Sequence, residues 1–210
     1  MDIIKKHFSL DDWDFSTPAP YLDTTVYVSS PTSLAARYAP PFNRYGYAFC
    51  KLPLAQNVPD GRIISYNYYG YSINGVVKWY YRAQTYPPAA DGIPANSYRI
   101  CWGNNYVIIQ KTVNGQTSTI ARYDFSPYLS LNTWHLFRAT WWQYTGAGPT
   151  TILRHRIEHY KDGNWVTLID FDDGNNHWAG SSVNMVGVQL SHAVENRIEA
   201  VDDTEIWKKI

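Results

Sequence analysis

Two segments in the second half of the chain carry the side chains best suited to contact a ligand. If residues 134–142 and 152–160 are strands, side chains alternate between faces, and one polar face collects Arg138, Trp142, Arg154, Arg156 and Glu158. Planar guanidinium groups and indoles are the groups with which a sheet face holds a sugar ring or a uronate. The alternative is a solvated outer sheet face with cross-strand Arg–Glu pairs.

The elements that would position this face are short strands separated by tight turns. Asx-Gly pairs favour hairpins because both residues tolerate a positive φ. The pairs in this chain are Asp60-Gly61, Asn74-Gly75, Asp91-Gly92, Asn114-Gly115, Asp162-Gly163 and Asp173-Gly174. Runs rich in Val, Ile, Tyr, Trp and Thr lie between them, at residues 62–69, 76–82, 98–102, 106–111, 118–125, 134–142, 152–160, 165–171, 185–190 and 200–207. Strands at this spacing predict an all-β sandwich or barrel.

Helix signals are nearly absent from the sequence. Residues 33–38, between Pro31 and Pro40, make at most a single helical turn. Alternation along the strands also predicts the inward side chains, which are Phe137, Ala139, Trp141, Leu153, His155, Ile157 and His159. Because His155 and His159 would be roughly 13 Å apart on a strand, a zinc site formed by this pair is disfavoured.

Composition narrows the classes of partner. The 210 residues suit one all-β domain over 1–210, and the net charge of zero argues against a dedicated nucleic-acid binder. Nine Trp, 18 Tyr and 7 Phe exceed what a core needs, so some should face solvent or a partner.

Residues 1–7 lack the apolar core of a secretory signal, and no apolar run approaches a membrane span, which predicts a soluble product. Cys50 and Cys101 could pair or remain buried thiols.

Four segments in the last 80 residues resemble, in family order, strands of the laminin-G-like and other concanavalin A-like domains. Residues 132–141 (NTWHLFRATW) resemble the "W-H-x-h-x-h" strand, and 160–165 (YKDGNW) resemble the hairpin after it. Residues 185–188 (MVGV) resemble the next strand, and 201–206 (VDDTEI) resemble the closing "F-D-D-h-x-h" strand. Residues 25–34 (TVYVSSPTSL) are similar to an early strand of such domains, so the likeness would cover about residues 8–207.

The resemblance implies a jelly-roll sandwich of two curved antiparallel sheets. Members include lectins, carbohydrate-binding modules, glycoside hydrolases, polysaccharide lyases, and adhesion or virion proteins, so the fold alone does not select a function. It also implies a possible structural calcium ion between the N-terminal segment and the last strand. The matching carboxylates would be Asp202 with Asp12 or Asp11, although Asp202 could instead bind backbone amides. An extracellular or virion-surface location would follow from the same likeness.

The sequence contains little of the residue patterns expected for an enzyme of this fold. Retaining glycosidases of this fold carry Glu-x-Asp-x-Glu, and none of the four glutamates, Glu158, Glu195, Glu199 and Glu205, lies in that spacing. Arg154, Arg156, His155, His159 and Tyr160 are the residue types of a polysaccharide lyase, but the histidines should face away from the arginines.

Three hypotheses for function follow. The leading one is a non-catalytic, lectin-like sandwich that binds glycan through its aromatic and Arg-bearing sheet face. The second is a structural or assembly subunit, such as a virion coat, fibre or appendage protein, that packs against copies of itself. The third is a lyase-like enzyme.

Overall fold

The computed structural model of the protein describes residues 2–6, 13–15, 21–23, 28, 33–37, 44–50, 57–69, 76–84, 94–146, 150–174, 178, 181, 183–192 and 198–209. These residues form fifteen strands and no helix. The strands are β1 (Asp2–Lys6), β2 (Trp13–Phe15), β3 (Tyr21–Asp23), β4 (Ser33–Arg37), β5 (Arg44–Cys50), β6 (Gly61–Tyr69), β7 (Val76–Ala83), β8 (Ser97–Trp102), β9 (Tyr106–Val113), β10 (Gln116–Asp124), β11 (Trp134–Thr145), β12 (Thr151–Lys161), β13 (Asn164–Asp173), β14 (Met185–His192) and β15 (Ile198–Lys208).

The strands form two sheets, and all strand pairs among the described residues are antiparallel. Sheet A has the order β13-β12-β11-β6-β15-β4-β3, with β1 paired to the far half of β15. Sheet B has the order β10-β9-β8-β7-β14-β5-β2. Neighbours such as β11–β6 and β14–β5 are distant in sequence, so the sheets are closed by crossovers between them as well as by hairpins. The all-β, two-sheet antiparallel prediction is therefore confirmed.

Two of the predicted Asx-Gly hairpins are present as tight turns. Asn114-Gly115 joins β9 to β10, and Asp162-Gly163 joins β12 to β13. All four of these residues have positive φ, between 51° and 82°. This backbone twist matches that of the flanking strands, which is why the pairs fix the register of both hairpins.

The core lies between the sheets and is built from alternate residues. Phe137, Ala139 and Trp141 of β11 are buried there, as predicted, against Trp79 and Trp102 of sheet B. The predicted inward side chains of β12 are buried too, namely Leu153, His155, Ile157 and His159. Aromatic rings dominate the contact, and Trp102 and Phe137 lie 4.1 Å apart between centroids.

Two local predictions were wrong. Residues 33–37 form strand β4, where one helical turn at most was expected, because pairing with β3 and β15 on both sides satisfies their backbone groups. Asp60-Gly61 is no hairpin turn, since Gly61 begins β6 and pairs with Trp141 and Lys208. Asp173 is the last residue of β13, but residues 175–177 lie outside the described part of the chain, as do the pairs at 74–75 and 91–92, so these three turns stay predictions.

The structure describes the side chain of one of the two cysteines, Cys101. Cys101 is a free, buried thiol on β8, and burial raises the pKa of its Sγ. This agrees with the interpretation of a small apolar side chain and shows no bond to Cys50, whose side chain lies outside the described residues. Of residues 25–34, only 28, 33 and 34 are described, so the early strand proposed there stays a prediction.

Candidate functional site

The outward face of sheet A brings together all five residues predicted for a ligand site. Strands β6, β11 and β12 are adjacent, and their register places Arg62, Thr140 and Arg156 side by side across the sheet. Arg138 is opposite Glu158, and Trp142 is opposite Arg154. Directly opposed side chains in an antiparallel pair have Cβ atoms about 5 Å apart. The five side chains therefore form one continuous surface.

Arg138 and Glu158 neutralise each other within this surface. Arg138 donates from Nε at 2.5 Å and from Nη2 at 2.7 Å to the two carboxylate oxygens of Glu158. The Arg138 guanidinium also lies over the Trp165 ring, 4.2 Å from its centroid. Such a bidentate pair with a stacked ring is geometrically fixed. This part of the face matches the cross-strand Arg–Glu alternative and organises the sheet.

Arg154 and Arg156 extend the face toward β13. Arg154 donates to Asp170 at 2.7 Å and to Asp172 at 3.0 Å, while Arg156 donates from Nη2 to Asp170 at 2.8 Å. The hydrogen bond from Arg154, with that from Arg156, lowers the pKa of the Asp170 carboxyl. Both guanidinium groups lie within 6 Å of the Trp142 ring centroid, at 5.9 and 5.7 Å. Trp142 therefore has two cations of strand β12 close to its half-buried indole.

A pocket of about 340 Å³ opens at the centre of this face. Its lining consists of Arg62, Arg138, Thr140, Trp142, Arg156, Glu158 and Lys209. Four of these side chains are cationic and one is a carboxylate that Arg138 already engages. Arg156 Nε is buried without a hydrogen-bond partner, and Arg62 has no carboxylate partner in the described part of the chain. Positive charge therefore exceeds negative charge inside the pocket.

Arg62 is less neutralised than Arg138 and Arg156, which both pair with carboxylates. Its Nε donates to Thr140 Oγ1 at 3.4 Å. Burial lowers the pKa of the Arg62 guanidinium, and repulsion from Arg138 lowers it further, while Glu158 acts in the opposite direction. Like charges held together in this way favour an anion between them.

Aromatic side chains surround the pocket on the same outward face. Tyr68 and Trp134 lie on β6 and β11 with ring centroids 5.3 Å apart, and Tyr160 and Trp165 form a second pair at 5.2 Å. The aromatic residues at outward positions of sheet A are Tyr66, Tyr68, Trp134, Trp142, Tyr144, Tyr160, Trp165 and Trp207, each half-buried or exposed. They account for part of the aromatic surplus that composition predicted to face solvent or a partner.

Part of the outward face of sheet B is different, because Tyr80, Arg99 and Gln189 are buried there. Tyr80 donates to Gln189 Oε1 at 2.8 Å, and Arg99 donates to Gln110 Oε1 at 2.7 Å and to the Tyr80 hydroxyl at 3.4 Å. Burial raises the pKa of Tyr80 to about 12. A satisfied, buried network of this kind stabilises the sheet and offers little surface to a large ligand. This buried part of sheet B is therefore less accessible than the pocket on sheet A.

A second cavity, of about 480 Å³, lies near the turn of the β12–β13 hairpin. Tyr128, exposed by 64%, and Tyr160, exposed by 42%, contribute to its lining together with the half-buried His135. This cavity is separate from the cationic pocket, since no residue lines both.

The histidines lie where alternation predicted, away from the arginines. His155 is buried in the core and shares a hydrogen bond of 2.7 Å with the Tyr81 hydroxyl through Nδ1. Burial lowers its pKa to about 3, so it is a neutral core residue at ordinary pH. His159 stacks on Phe137 at 4.7 Å. The residue types of a lyase are therefore divided between the core and the outward face.

The predicted calcium ligands are only partly described. Asp202 is buried and accepts a hydrogen bond from the Val28 backbone amide at 2.6 Å, which is the alternative role expected for it. Asp12 and Asp11 lie outside the described residues. No group of three or more His, Cys, Asp or Glu side chains with metal-binding geometry occurs in the part of the chain that the structure describes. Asp202 alone does not make a calcium site, and the calcium ion stays a prediction.

Three contributors to the pocket were missing from the sequence-based site, namely Arg62, Thr140 and Lys209. Residues 62–69 were recognised as a strand, and alternation alone would have placed Arg62 on a face with Tyr66 and Tyr68. The missing information was that β6 pairs with β11, which lies far along the chain.

Comparison with known proteins supports the fold independently. No protein-family model matches the chain, and no curated protein gives a significant match. Among solved structures, the VIP36 exoplasmic/lumenal domain bound to Ca²⁺ and Man3GlcNAc aligns with a TM-score of 0.61 at 14% identity, over 99% of this chain and 88% of that one. The carbohydrate recognition domain of Emp46p in its potassium-bound form gives 0.59 at 12% identity, over 96% and 90%. The carbohydrate-binding module CBM66 from Bacillus subtilis gives 0.52 at 14% identity, over 92% and 95%.

The architecture and these likenesses define the class: the protein has the concanavalin A-like jelly-roll fold, as its strand motifs predicted. No helix among the described residues is both long enough and apolar enough to cross a membrane.

Proposed function

We propose that the protein is a non-catalytic glycan-binding sandwich that contacts its ligand through the outward face of sheet A. The observation that carries the proposal is the pocket of about 340 Å³ with Trp142 and paired arginines in its wall, set within a field of half-exposed aromatic rings. Tyrosine and tryptophan supply large contact areas at low entropic cost, and arginine supplies directional donors for hydroxyl and carboxylate oxygens.

The structural neighbours support this proposal at the level of ligand class. One is titled a carbohydrate-binding module, and others are a carbohydrate recognition domain and a domain bound to Man3GlcNAc. Their identity to this chain is 12–14%, so the residues that would touch a glycan are argued from this chain alone.

The test is affinity gel electrophoresis of the intact protein through gels that contain single polysaccharides, neutral and acidic. We expect retardation on at least one polysaccharide, and we expect Trp142→Ala to weaken it about tenfold or more, because a central aromatic anchor carries much of a binding energy. Tyr128→Ala is the matched control, since it removes an exposed ring from the separate cavity.

Two outcomes would count against the proposal. Migration unchanged by every polysaccharide would contradict glycan binding, and loss of retardation in Tyr128→Ala but not in Trp142→Ala would move the site to the other cavity. Size-exclusion chromatography with light scattering tests the assembly-subunit hypothesis separately. A concentration-dependent oligomer that Trp142→Ala dissolves would show that this face packs against a second copy.

A further inference from the structure

The pocket on sheet A has the chemistry of an anion site within a sugar-binding face. Thr140, a small residue, forms its floor between Arg62 on β6 and Arg156 on β12, both directly opposite it in register. Neighbouring strands lie about 4.8 Å apart, so the two arginine backbones are roughly 10 Å apart with Thr140 midway. Two guanidinium groups at that separation can both reach one carboxylate or sulfate group held above the threonine.

Hydrogen-bond donors remain available on both sides of this gap. Arg62 uses Nε on Thr140 and pairs with no carboxylate in the described part of the chain. Arg156 uses Nη2 on Asp170, its side chain is 42% exposed, and its Nε has no partner among the described residues. A buried donor without a partner costs free energy, which a shift of the Arg156 side chain toward an incoming acceptor would recover.

The remaining lining residues define what the anion is attached to. Trp142 lies two residues beyond Thr140 on the same strand and the same face, so the Cα atoms of the two residues are about 7 Å apart, and its indole lines the pocket. Lys209 adds an exposed ammonium group at the opening. Glu158 is held by Arg138, so its carboxylate does not compete with an incoming anion for Arg62 and Arg156. A ring that stacks on Trp142 would place a charged substituent between the two arginines.

We propose that this pocket recognises an anionic sugar unit, a uronate or a sulfated sugar, with its acidic group between Arg62 and Arg156. This inference rests on the proposed glycan-binding function and names the substrate class for the same site. Arg62 is its most informative residue because it has no carboxylate partner, among the described residues, whose loss would confound a substitution.

The test compares one neutral polysaccharide with two anionic ones, one of which has the same backbone as the neutral one. Dextran and dextran sulfate differ in the sulfate ester, and polygalacturonate supplies the uronate. We expect the intact protein to be retarded by polygalacturonate or dextran sulfate more than by dextran. Arg62→Gln should weaken that retardation about tenfold or more, as expected for a lost hydrogen-bonded charge pair.

The control variant is Arg122→Gln. It removes the same charge from sheet B, where Arg122 is exposed and paired with Asp124. If Arg122→Gln reduces retardation as much as Arg62→Gln does, the effect is general attraction between charges and the proposal is wrong. Thermal unfolding of Arg62→Gln verifies its folding, and Lys209→Gln, at the exposed end of the chain, gives a second variant with a smaller expected loss.

Failure of this inference can be distinguished from failure of the proposed function. Retardation by dextran that Trp142→Ala removes and Arg62→Gln leaves intact would keep glycan binding and overturn the anionic preference. No retardation by any of the three polysaccharides would overturn the anionic preference, and it would overturn glycan binding as well only if every other polysaccharide also left migration unchanged. A competition experiment tests whether the sugar is needed. If inorganic sulfate displaces dextran sulfate as effectively, per sulfate group, as free dextran sulfate does, the pocket binds a free oxyanion and the requirement for a sugar is wrong.

Discussion

At the scale of single residues, ionisable groups on the outward face of sheet A form ion pairs, whereas His155 in the interior is kept neutral. Arg138 and the buried Glu158 compensate each other on the outward face, whereas His155 is buried without compensation. The charged groups that face His155 act against one another, since Asp173 raises its pKa while Arg82 and Lys111 lower it. Burial is the largest cause of the shift, and His155 Nε2 has no hydrogen-bond partner among the described residues. The imidazole is therefore held neutral in the folded protein.

This state predicts a specific dependence of stability on pH. The native pKa of about 3 lies below the ordinary value of 6.5, so the unfolded chain binds the proton first and stability is lost as pH falls below about 6.5. From pH 7 to pH 5, His155 should account for about 2 kcal/mol of lost unfolding free energy. Urea unfolding of His155→Gln, which cannot titrate, should show a correspondingly smaller loss. Equal losses in both proteins would show that His155 accepts a proton when folded.

At the scale of elements, the close contact between strands β6, β11 and β15 depends on one glycine. A Cβ at Gly61 would lie 2.7 Å from the backbone oxygen of Trp207, 2.7 Å from the Trp141 ring and 2.6 Å from Val58. Two of these neighbours are a strand backbone and a core indole, which cannot move aside cheaply. Gly61 thus allows three strands of sheet A to meet beside the pocket.

Substitution of Gly61 tests this packing. We expect Gly61→Ala to lower the free energy of unfolding by about 1–3 kcal/mol or more, because the added methyl overpacks the strand crossing. Gly174→Ala is the control, since a Cβ there meets no described residue within 4 Å and its φ is not left-handed. Urea midpoints measure both variants. Equal midpoints for the two would contradict the steric role of Gly61.

At the scale of the whole molecule, a buried polar cluster links the two sheets at one edge of the sandwich. Asp173, the last residue of β13 in sheet A, accepts hydrogen bonds from Tyr98 and from Lys111 of sheet B, each 2.6 Å long. Burial, followed by Asp173, raises the pKa of Tyr98. The neighbouring Asp172 faces outward and pairs with Arg154. Of these two adjacent aspartates, Asp173 therefore binds partners in the interior, and Asp172 binds a partner on the outward face.

These two aspartates form a matched pair for mutation. Asp173→Asn should cost about 3 kcal/mol of unfolding free energy, because it removes the negative charge that compensates the buried Lys111 ammonium. Asp172→Asn removes an equal charge from an exposed pair and should cost about 1 kcal/mol or less. Chemical denaturation followed by tryptophan fluorescence measures both. A cost for Asp172→Asn as large as for Asp173→Asn would place the important contact on the outer face.

Much of the fold could be predicted from the sequence because its signals are local. Alternation of polar and apolar residues located strands β6 to β15, and positive-φ turn residues located the hairpins at Gly115 and Gly163. The same alternation separated Arg138 and Trp142 from Phe137 and Trp141. Strand β4 was missed because its alanines carry no strand propensity and its pairing partner β15 is distant in the chain.

The sequence by itself determined which side chains share a face, since a strand has a fixed period of two. Only the tertiary structure decided which strands are neighbours: it brought Arg62 and Lys209 to Thr140 and Arg156, and it assigned Glu158 to Arg138 and Asp170 to Arg154. The physical reason is that pairing between distant strands depends on how the whole core packs, whereas alternation is a property of each strand alone.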